Sequence, residues 1–508
     1  MSKRRKNPPW NPGSVPMCRR ARAGEPGKVA MIGFLLPFPP SVRIRKVCPA
    51  MKKKTCPVGW TRRSRRIEFG PAILALILVL TATRGGDALG WESEDLSLEN
   101  GLRVILVKES KAPVVVTQVW YRVGAADEVD GKTGLAHMLE HMMFQGTRDI
   151  PPGEYSRIIA RHGGEDNAST AWDYTNYWSR LSSDQLDLAL RLEADRMRHL
   201  VLDPRRFESE NQVVREERRT RTDSNPQGRY YEKFRHFFFQ NHPYGRPVIG
   251  WMNEIEHHTL KDLEAWYRGH YSPDNAILVI VGDVDFAQAK AQVRTHFGSI
   301  EPAGRTVTRD LAAWPPITGG RRMVHKDPHV MAPLVQISWP AASLTHGNSR
   351  DVHALDLLAA ILGGSGSSRL YRRVVVEQQK AISIQTQYNG SSLGVETFDI
   401  YADPPDGQAV AALEQSLLAE VDALMTTLLT DEELQRAKNG LLAERIYARD
   451  AIDHLASMIG RLSVNGVDWR QEVEGYPRKI QEVTAERIRE VASRYLTRDK
   501  AVIGILTP

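Results

Sequence analysis

Short β-branched and aromatic runs alternate along the chain with segments whose apolar residues recur at helical spacing, and this pattern lays out the elements before any chemistry is considered. Asn100-Gly101 predicts a hairpin turn with a strand after it over 102–107. Residues 112–121, Ala-Pro-Val-Val-Val-Thr-Gln-Val-Trp-Tyr, predict a buried strand. A loop bearing Gly124 and Gly134 then leads into residues 135–144, whose Leu, Met and Ala content predicts a helix. The chain breaks at 161–164. Residues 167–178 predict a strand or hairpin, 186–200 a helix, 205–221 an acidic helix, and 271–282 another buried strand.

After 301–321, a stretch with linker composition (Pro302, Pro315, Pro316, Gly319, Gly320), the pattern starts again. Ala332-Pro333 and its strand echo Ala112-Pro113. Ile255, Thr259, Leu263 and Tyr271 recur as Ile480, Thr484, Ile488 and Tyr495, each set followed by a buried strand. The offsets are 220 for the Ala-Pro pair, 225 for the threonine and 224 for the tyrosine. Such steady spacing predicts an α+β protein of two homologous domains, each a mostly antiparallel sheet packed with helices. The expected division is 1–90 leader, 91–302 first domain, 303–322 linker and 323–508 second domain.

The formal charge of +7 misleads. Of 68 Lys and Arg, eighteen fall in residues 1–66, where Glu25 is the only acid, so the remainder carries 50 basic against 60 acidic residues. An acidic folded part argues against a nucleic-acid partner. After Arg66 comes an apolar run, 69–82, too short for a comfortable membrane span. Basic region, apolar core and small residues near Ala88 and Gly90 predict a signal peptide, beginning neatly at Met51, with 1–50 an upstream extension. Export to the periplasm or beyond follows, with membrane anchoring if the signal is uncleaved and no stable span once it is removed. Cys18, Cys48 and Cys56 all precede the apolar core. The mature chain would then hold no thiolate, and a metal site must be built from His and carboxylates.

On the helix from 135, His137, Glu140 and His141 fall at i, i+3 and i+4 on one face. Two imidazoles and a carboxylate converging there suit a zinc ion with a general base, and His-x-x-Glu-His is the inverted zinc-peptidase order. The second copy has no such histidine pair over 354–362, so one metal per chain is expected. Zinc normally takes three protein ligands. The acidic helix offers Glu210, Glu216 and Glu217, which pattern alone leaves unranked, beside Val213 and Val214, read as its inward side. The loop from Gly363 to Arg369 lacks the Gly-Lys-Ser/Thr ending of a phosphate loop and reads as a helix cap.

From about residue 95 onward the sequence resembles the pitrilysin or insulinase family of zinc peptidases, most closely the branch of the mitochondrial processing peptidases and their bacterial relatives. The resemblance rests on Gly134-Leu135-Ala136-His137-Met138-Leu139-Glu140-His141 through Thr147, on Asn167-Ala168-Ser169-Thr170, on residues 210–217, and on His242-Pro243-Tyr244-Gly245-Arg246-Pro247. It implies zinc held by His137, His141 and Glu217, with Glu210 supporting a ligand histidine. It also implies that Glu140 is the general base, and that Asn167, Ala168, Ser169 and Thr170 form a sheet edge to which an extended peptide adds.

The chain departs from that pattern in one respect. Active members carry an Arg and a Tyr in the second half, and at the expected places this chain has Gln379 and Ser383, with Arg373 and Tyr388 nearby but out of register. The resemblance therefore implies the metal-bearing subunit of a heterodimer whose homologous partner supplies Arg and Tyr, or a homodimer, acting on peptides or unfolded segments. The competing readings are a non-catalytic assembly subunit of the same fold and a metal-binding protein without turnover.

Overall fold

In the computed structural model the described residues are 90–304, 309, 311, 320–407 and 409–508. The leader and signal expected over 1–90, residue 90 apart, and most of the linker expected over 303–322 lie outside them. The principal elements of the first half are β1 (Ser93–Ser97), β2 (Arg103–Lys108), β3 (Val114–Tyr121), α1 (Leu135–Met142), α2 (Glu154–Arg161), β4 (Glu165–Thr170), β5 (Thr175–Ser182), α3 (Leu186–His199), α4 (Pro204–Arg218), α5 (Pro226–Phe239), α6 (Leu260–His270), β6 (Ala276–Gly282) and α7 (Phe286–Phe297). The second half has β7 (Arg321–Lys326), β8 (Leu334–Ala341), α8 (Val352–Gly363), β9 (Ser383–Tyr388), β10 (Glu396–Asp403), α9 (Val410–Thr426), α10 (Asp431–Asp450), α11 (Ile452–Val464), α12 (Ala485–Tyr495) and β11 (Val502–Thr507).

The strands form a six-stranded sheet ordered β1-β2-β6-β3-β5-β4 and a five-stranded sheet ordered β7-β11-β8-β10-β9. The second order repeats the first without β1. The one parallel pair of each sheet occupies the corresponding place, β2 with β6 and β7 with β11. The repeated anchors serve repeated purposes. Thr259 caps α6 by accepting from Asp262 N–H, and Thr484 caps α12 by accepting from Arg487 N–H, each at 3.2 Å. Ile255 and Ile480, four residues before each cap, are buried.

Neighbouring strand residues face opposite ways, so each sheet needs two covers. In the first sheet Val104, Leu106, Val115, Val119, Leu278 and Ile280 pack with Leu135, Met138, Leu139 and Met142 of α1. Their neighbours Ile105, Val107, Val116, Trp120, Ile277, Val279 and Val281 meet Leu455, Ala456, Ile459 and Leu462 of α11, from the second half. The second sheet mirrors this arrangement. Val335, Ile337, Trp339, Phe398 and Ile400 pack inside their own half, whereas Leu334, Val502 and Leu506 meet Tyr230, Phe234, Phe238 and Phe239 of α5, from the first. Burial on both faces explains why β6 reads as one unbroken apolar run. Each exchanged helix sits so close that glycine is needed at the contact. A Cβ on Gly460 of α11 would lie 2.1 Å from the Trp120 ring, and one on Gly504 of β11 would fall 2.4 Å from Phe234.

Candidate metal centre

α1 is apolar enough to bury every one of its residues against the first sheet, and it carries His137, Glu140 and His141 inward with it. Its amino end is fixed by Glu128, whose two carboxylate oxygens accept the N–H groups of Gly134 (2.7 Å) and Ala136 (2.8 Å). These N–H groups have no partner within the helix, so a carboxylate there both satisfies them and complements the helix dipole. Arg246 braces the same loop by donating to the Glu128 carbonyl and to Asp130.

α4 runs beside α1 and begins at an Asp203 cap that accepts from the N–H groups of Arg205 and Arg206. Its geometry ranks the three acids that pattern could not. Glu217 reaches both imidazoles, with Oε1 3.8 Å from His137 Nε2 and Oε2 3.3 Å from His141 Nε2. Glu210 lies one heptad earlier. Its Oε2 is 3.1 Å from His141 Nδ1, and its Oε1 accepts from Gln145 at 2.8 Å. Glu216 points outward to Arg219. The apolar side of α4 is narrower than its sequence suggests, since Val214 is buried and Val213 is 46% exposed. Successive helix residues diverge by about 100°, so only one of the two valines meets the core.

The ligand atoms offered by His137, His141 and Glu217 all lie within 4.8 Å of one another. His137 Nδ1 and His141 Nε2 are buried and make no hydrogen bond, whereas Glu217 Oε1 is buried against Arg221. Orphaned polar atoms each cost about 1–3 kcal/mol, and an unpartnered nitrogen on each of two imidazoles beside a carboxylate suits a cation. Two imidazoles and a carboxylate are a donor set that zinc accepts with one coordination position left open. The electrostatics divide the site: burial works against a charge on His141, but Glu210 and Glu217 outweigh it and raise this imidazole to about 9, so a bound cation would take the place of its proton. Burial, helped by His141, pushes His137 down to about 3, which keeps the ring neutral with one nitrogen free to bind a metal. Burial works against the charge on Glu217, but the histidines and Arg221 outweigh it and hold this carboxylate down to about 2. Burial raises Glu140 above the ordinary carboxyl range. A second group, Asp149, Asp195 and His199, differs in kind. Asp195 is already satisfied by Thr147 and His199, and Asp149 is exposed.

β4 is the edge of its sheet and pairs only with β5. Its side chains are mostly engaged inside the protein. Asn167 Oδ1 accepts from Ala168 N–H, Ser169 donates to Asn176, Ala168 is buried, and the Thr170 hydroxyl donates to Glu140 Oε2 at 2.5 Å. Sequence reasoning missed that last bond, and it also missed Arg221, whose Nη1 lies 2.5 Å from Glu217 Oε1. Spacing could have flagged Arg221, four residues beyond Glu217 on a continuing helix, whereas Thr170 depends on sheet register and left no local signal. In the second half, Ser383 opens β9 and donates to Asp403, and Gln379 turns the chain with φ 53°. The nearby Arg373 and Tyr388 are committed to Glu420 and to the Ala342 carbonyl.

Comparison with known proteins places these features in a family. Residues 103–251 match the model described as Insulinase (Peptidase family M16), and 257–441 match the one described as Peptidase M16 inactive domain. Zinc protease PqqE of Helicobacter pylori is 30% identical over 439 residues, covering 85% of this chain and 97% of that protein. An uncharacterized zinc protease of Mycobacterium leprae, ML0855, is 30% identical over 424 residues, covering 80% and 91%. Among solved structures, a protease from Helicobacter pylori superposes with a TM-score of 0.77 at 31% identity, over 82% of this chain and all of that one. The periplasmic protease PqqL from Escherichia coli shares the fold, with a TM-score of 0.69 at 20% identity, over 83% of this chain and 48% of that one.

Proposed function

The chain belongs to the insulinase family, peptidase family M16, and from that premise we propose that it is a zinc-dependent endopeptidase acting on peptides or unstructured protein segments. The observation that carries this reading is the buried meeting of His137, His141 and Glu217 with Glu140 on the same helix. These three side chains would hold one zinc ion, which when bound would supply Lewis acidity to the scissile carbonyl and to water. Glu140 takes the proton from the attacking water and delivers it to the leaving nitrogen as the C–N bond breaks, a role its raised proton affinity suits. Glu210 accepts from His141 Nδ1–H and so presents the opposite nitrogen to the metal. The outer edge of β4, from Asn167 to Thr170, receives the peptide by backbone hydrogen bonds.

We further propose that a homologous partner supplies the Arg and Tyr missing at Gln379 and Ser383. The engagement of Arg373 with Glu420 and of Tyr388 with the Ala342 carbonyl, both within the second half, supports this. Residues 91–302 and 323–508 are taken as the two domains and 303–322 as their linker. The leader within 1–90 exports the chain, and among the described residues no helix is long and apolar enough to cross a membrane.

The experiment is metal analysis and peptide cleavage of wild type and Glu140→Gln, each alone and with a homologous chain bearing the Arg and Tyr. The proposal requires one zinc per chain in both proteins and cleavage by wild type only. Full activity without the partner would remove the heterodimer, and equal activity in both proteins would remove the mechanism. Zinc in both with cleavage in neither would favour the non-catalytic subunit.

A further inference from the structure

Thr170 ends the edge strand, and along a strand residues two apart share a face. Its companion is Ala168, which is 5% exposed and packed in the same core cluster as Leu135, Met138 and Leu139 of α1. Thr170 therefore emerges on the side of β4 that meets the motif helix, and its hydroxyl lands on Glu140 Oε2 at 2.5 Å. Asn167 and Ser169, on the other side, turn to the Ala168 N–H and to Asn176. Among the described residues, Thr170 is the only hydrogen-bond partner of the Glu140 side chain. Glu140 is 5% exposed, so this one donor, rather than solvent, sets which way its carboxylate faces.

We propose that Thr170 is a positioning residue for Glu140. By donating to Oε2 it leaves Oε1 as the oxygen that takes the proton, and it fixes the plane in which that oxygen approaches the attacking water. Threonine suits the task because its β-branch restricts χ1, so the hydroxyl direction is set by the strand itself. A consequence follows for the substrate. A peptide adding along the outer edge of β4 stiffens the strand whose last residue aims the base, so docking and alignment of the base are one event. Poorly extended peptides would then be turned over slowly even when bound. This inference rests on the peptidase reading above.

The test uses Thr170→Val, which keeps the shape and removes the donor, and Thr170→Ser, which keeps the donor. Both are compared in the zinc-loaded protein with an internally quenched unstructured peptide, in the chain arrangement in which wild type cleaves it. The expected result is a kcat reduced by about 10–100-fold in Thr170→Val, within the range a misplaced catalytic group costs, with KM and zinc content unchanged. Thr170→Ser recovers most of kcat, and Thr170→Val adds nothing to Glu140→Gln. A loss of packing alone would lower the thermal midpoint and fail to respond to serine. An unchanged kcat in Thr170→Val, equal defects in the valine and serine variants, or a raised KM at constant kcat would each overturn the proposal. Should the valine variant not fold, Thr170→Ala takes its place under the same outcomes. If zinc-loaded wild type cleaves nothing in any arrangement, the peptidase reading fails and takes this inference with it. Normal wild-type cleavage with an indifferent Thr170→Val removes the inference alone.

Discussion

Gly460→Ala puts the junction between the two halves under direct test. A methyl group at this position of α11 falls 2.1 Å from both Nε1 and Cε2 of Trp120. The indole is 1% exposed and cannot swing away, because Nε1 donates to Gln118 Oε1 at 2.9 Å and Gln118 in turn donates to Ser457, on the same helix. Alanine favours a helix interior over glycine by about 1 kcal/mol. Against that stand about 1–3 kcal/mol for overpacking a filled core and about 1 kcal/mol for the displaced Trp120 hydrogen bond. The net expectation is a loss of about 1–3 kcal/mol. Gly440 is the internal control, since it lies in α10, is exposed, and has nothing within 4 Å of where a Cβ would go. Gly440→Ala should gain about 1 kcal/mol, so the two variants move in opposite directions. Guanidinium unfolding followed by tryptophan fluorescence measures both. A Gly460→Ala protein as stable as wild type would refute the claim that α11 bears directly on the first sheet.

Three further expectations concern the candidate centre and its supports. Glu210→Ala should bind zinc about 10–100-fold more weakly, the usual cost of removing a group that orients a ligand histidine, as read by competition with a chromophoric chelator, whereas Glu216→Ala should not change affinity. Glu128→Gln turns an amide NH2 toward one of the two N–H groups that open α1, and should cost about 1–3 kcal/mol in denaturant unfolding; a neutral result would show that this cap is dispensable. His242 Nδ1 accepts from the Tyr244 N–H, and burial pushes its pKa down to about 4. Protons therefore bind the unfolded chain more tightly, and this residue's contribution to stability is lost as pH falls from 6.5 toward 4. His242→Asn keeps an acceptor at the same place and should flatten that part of the wild-type pH profile of thermal unfolding.

Much of this architecture was legible in the chain because the responsible signals are local. The Asn100-Gly101 turn, the apolar run ending at Gly282, the helix bearing His137 and His141, and the spaced recurrence of Thr259 and Tyr271 all rest on neighbours in sequence. What could not be read depends on partners far along the chain. Helical period puts Glu210 and Glu217 on one face of α4, but only the placement of α1 decides which of them meets His137 and which meets His141 Nδ1. Likewise Phe234 and Phe238 announce a buried helix without announcing that the sheet above them belongs to the other half. The sequence places Thr170 on an expected substrate edge, and its bond to Glu140 depends on the register of β4 beneath α1.

The exchange of α5 and α11 also bears on what a partner chain must be. Severed between its sheets, either part would present a bare apolar face, Trp120 with Ile277 and Val279 on one side and Val502 with Leu506 on the other. Such a face invites association rather than independent folding. The second half therefore serves the first as a roof. The partner proposed above would then arrive as a whole molecule with its own pair of sheets, since a lone second half would leave such a face bare.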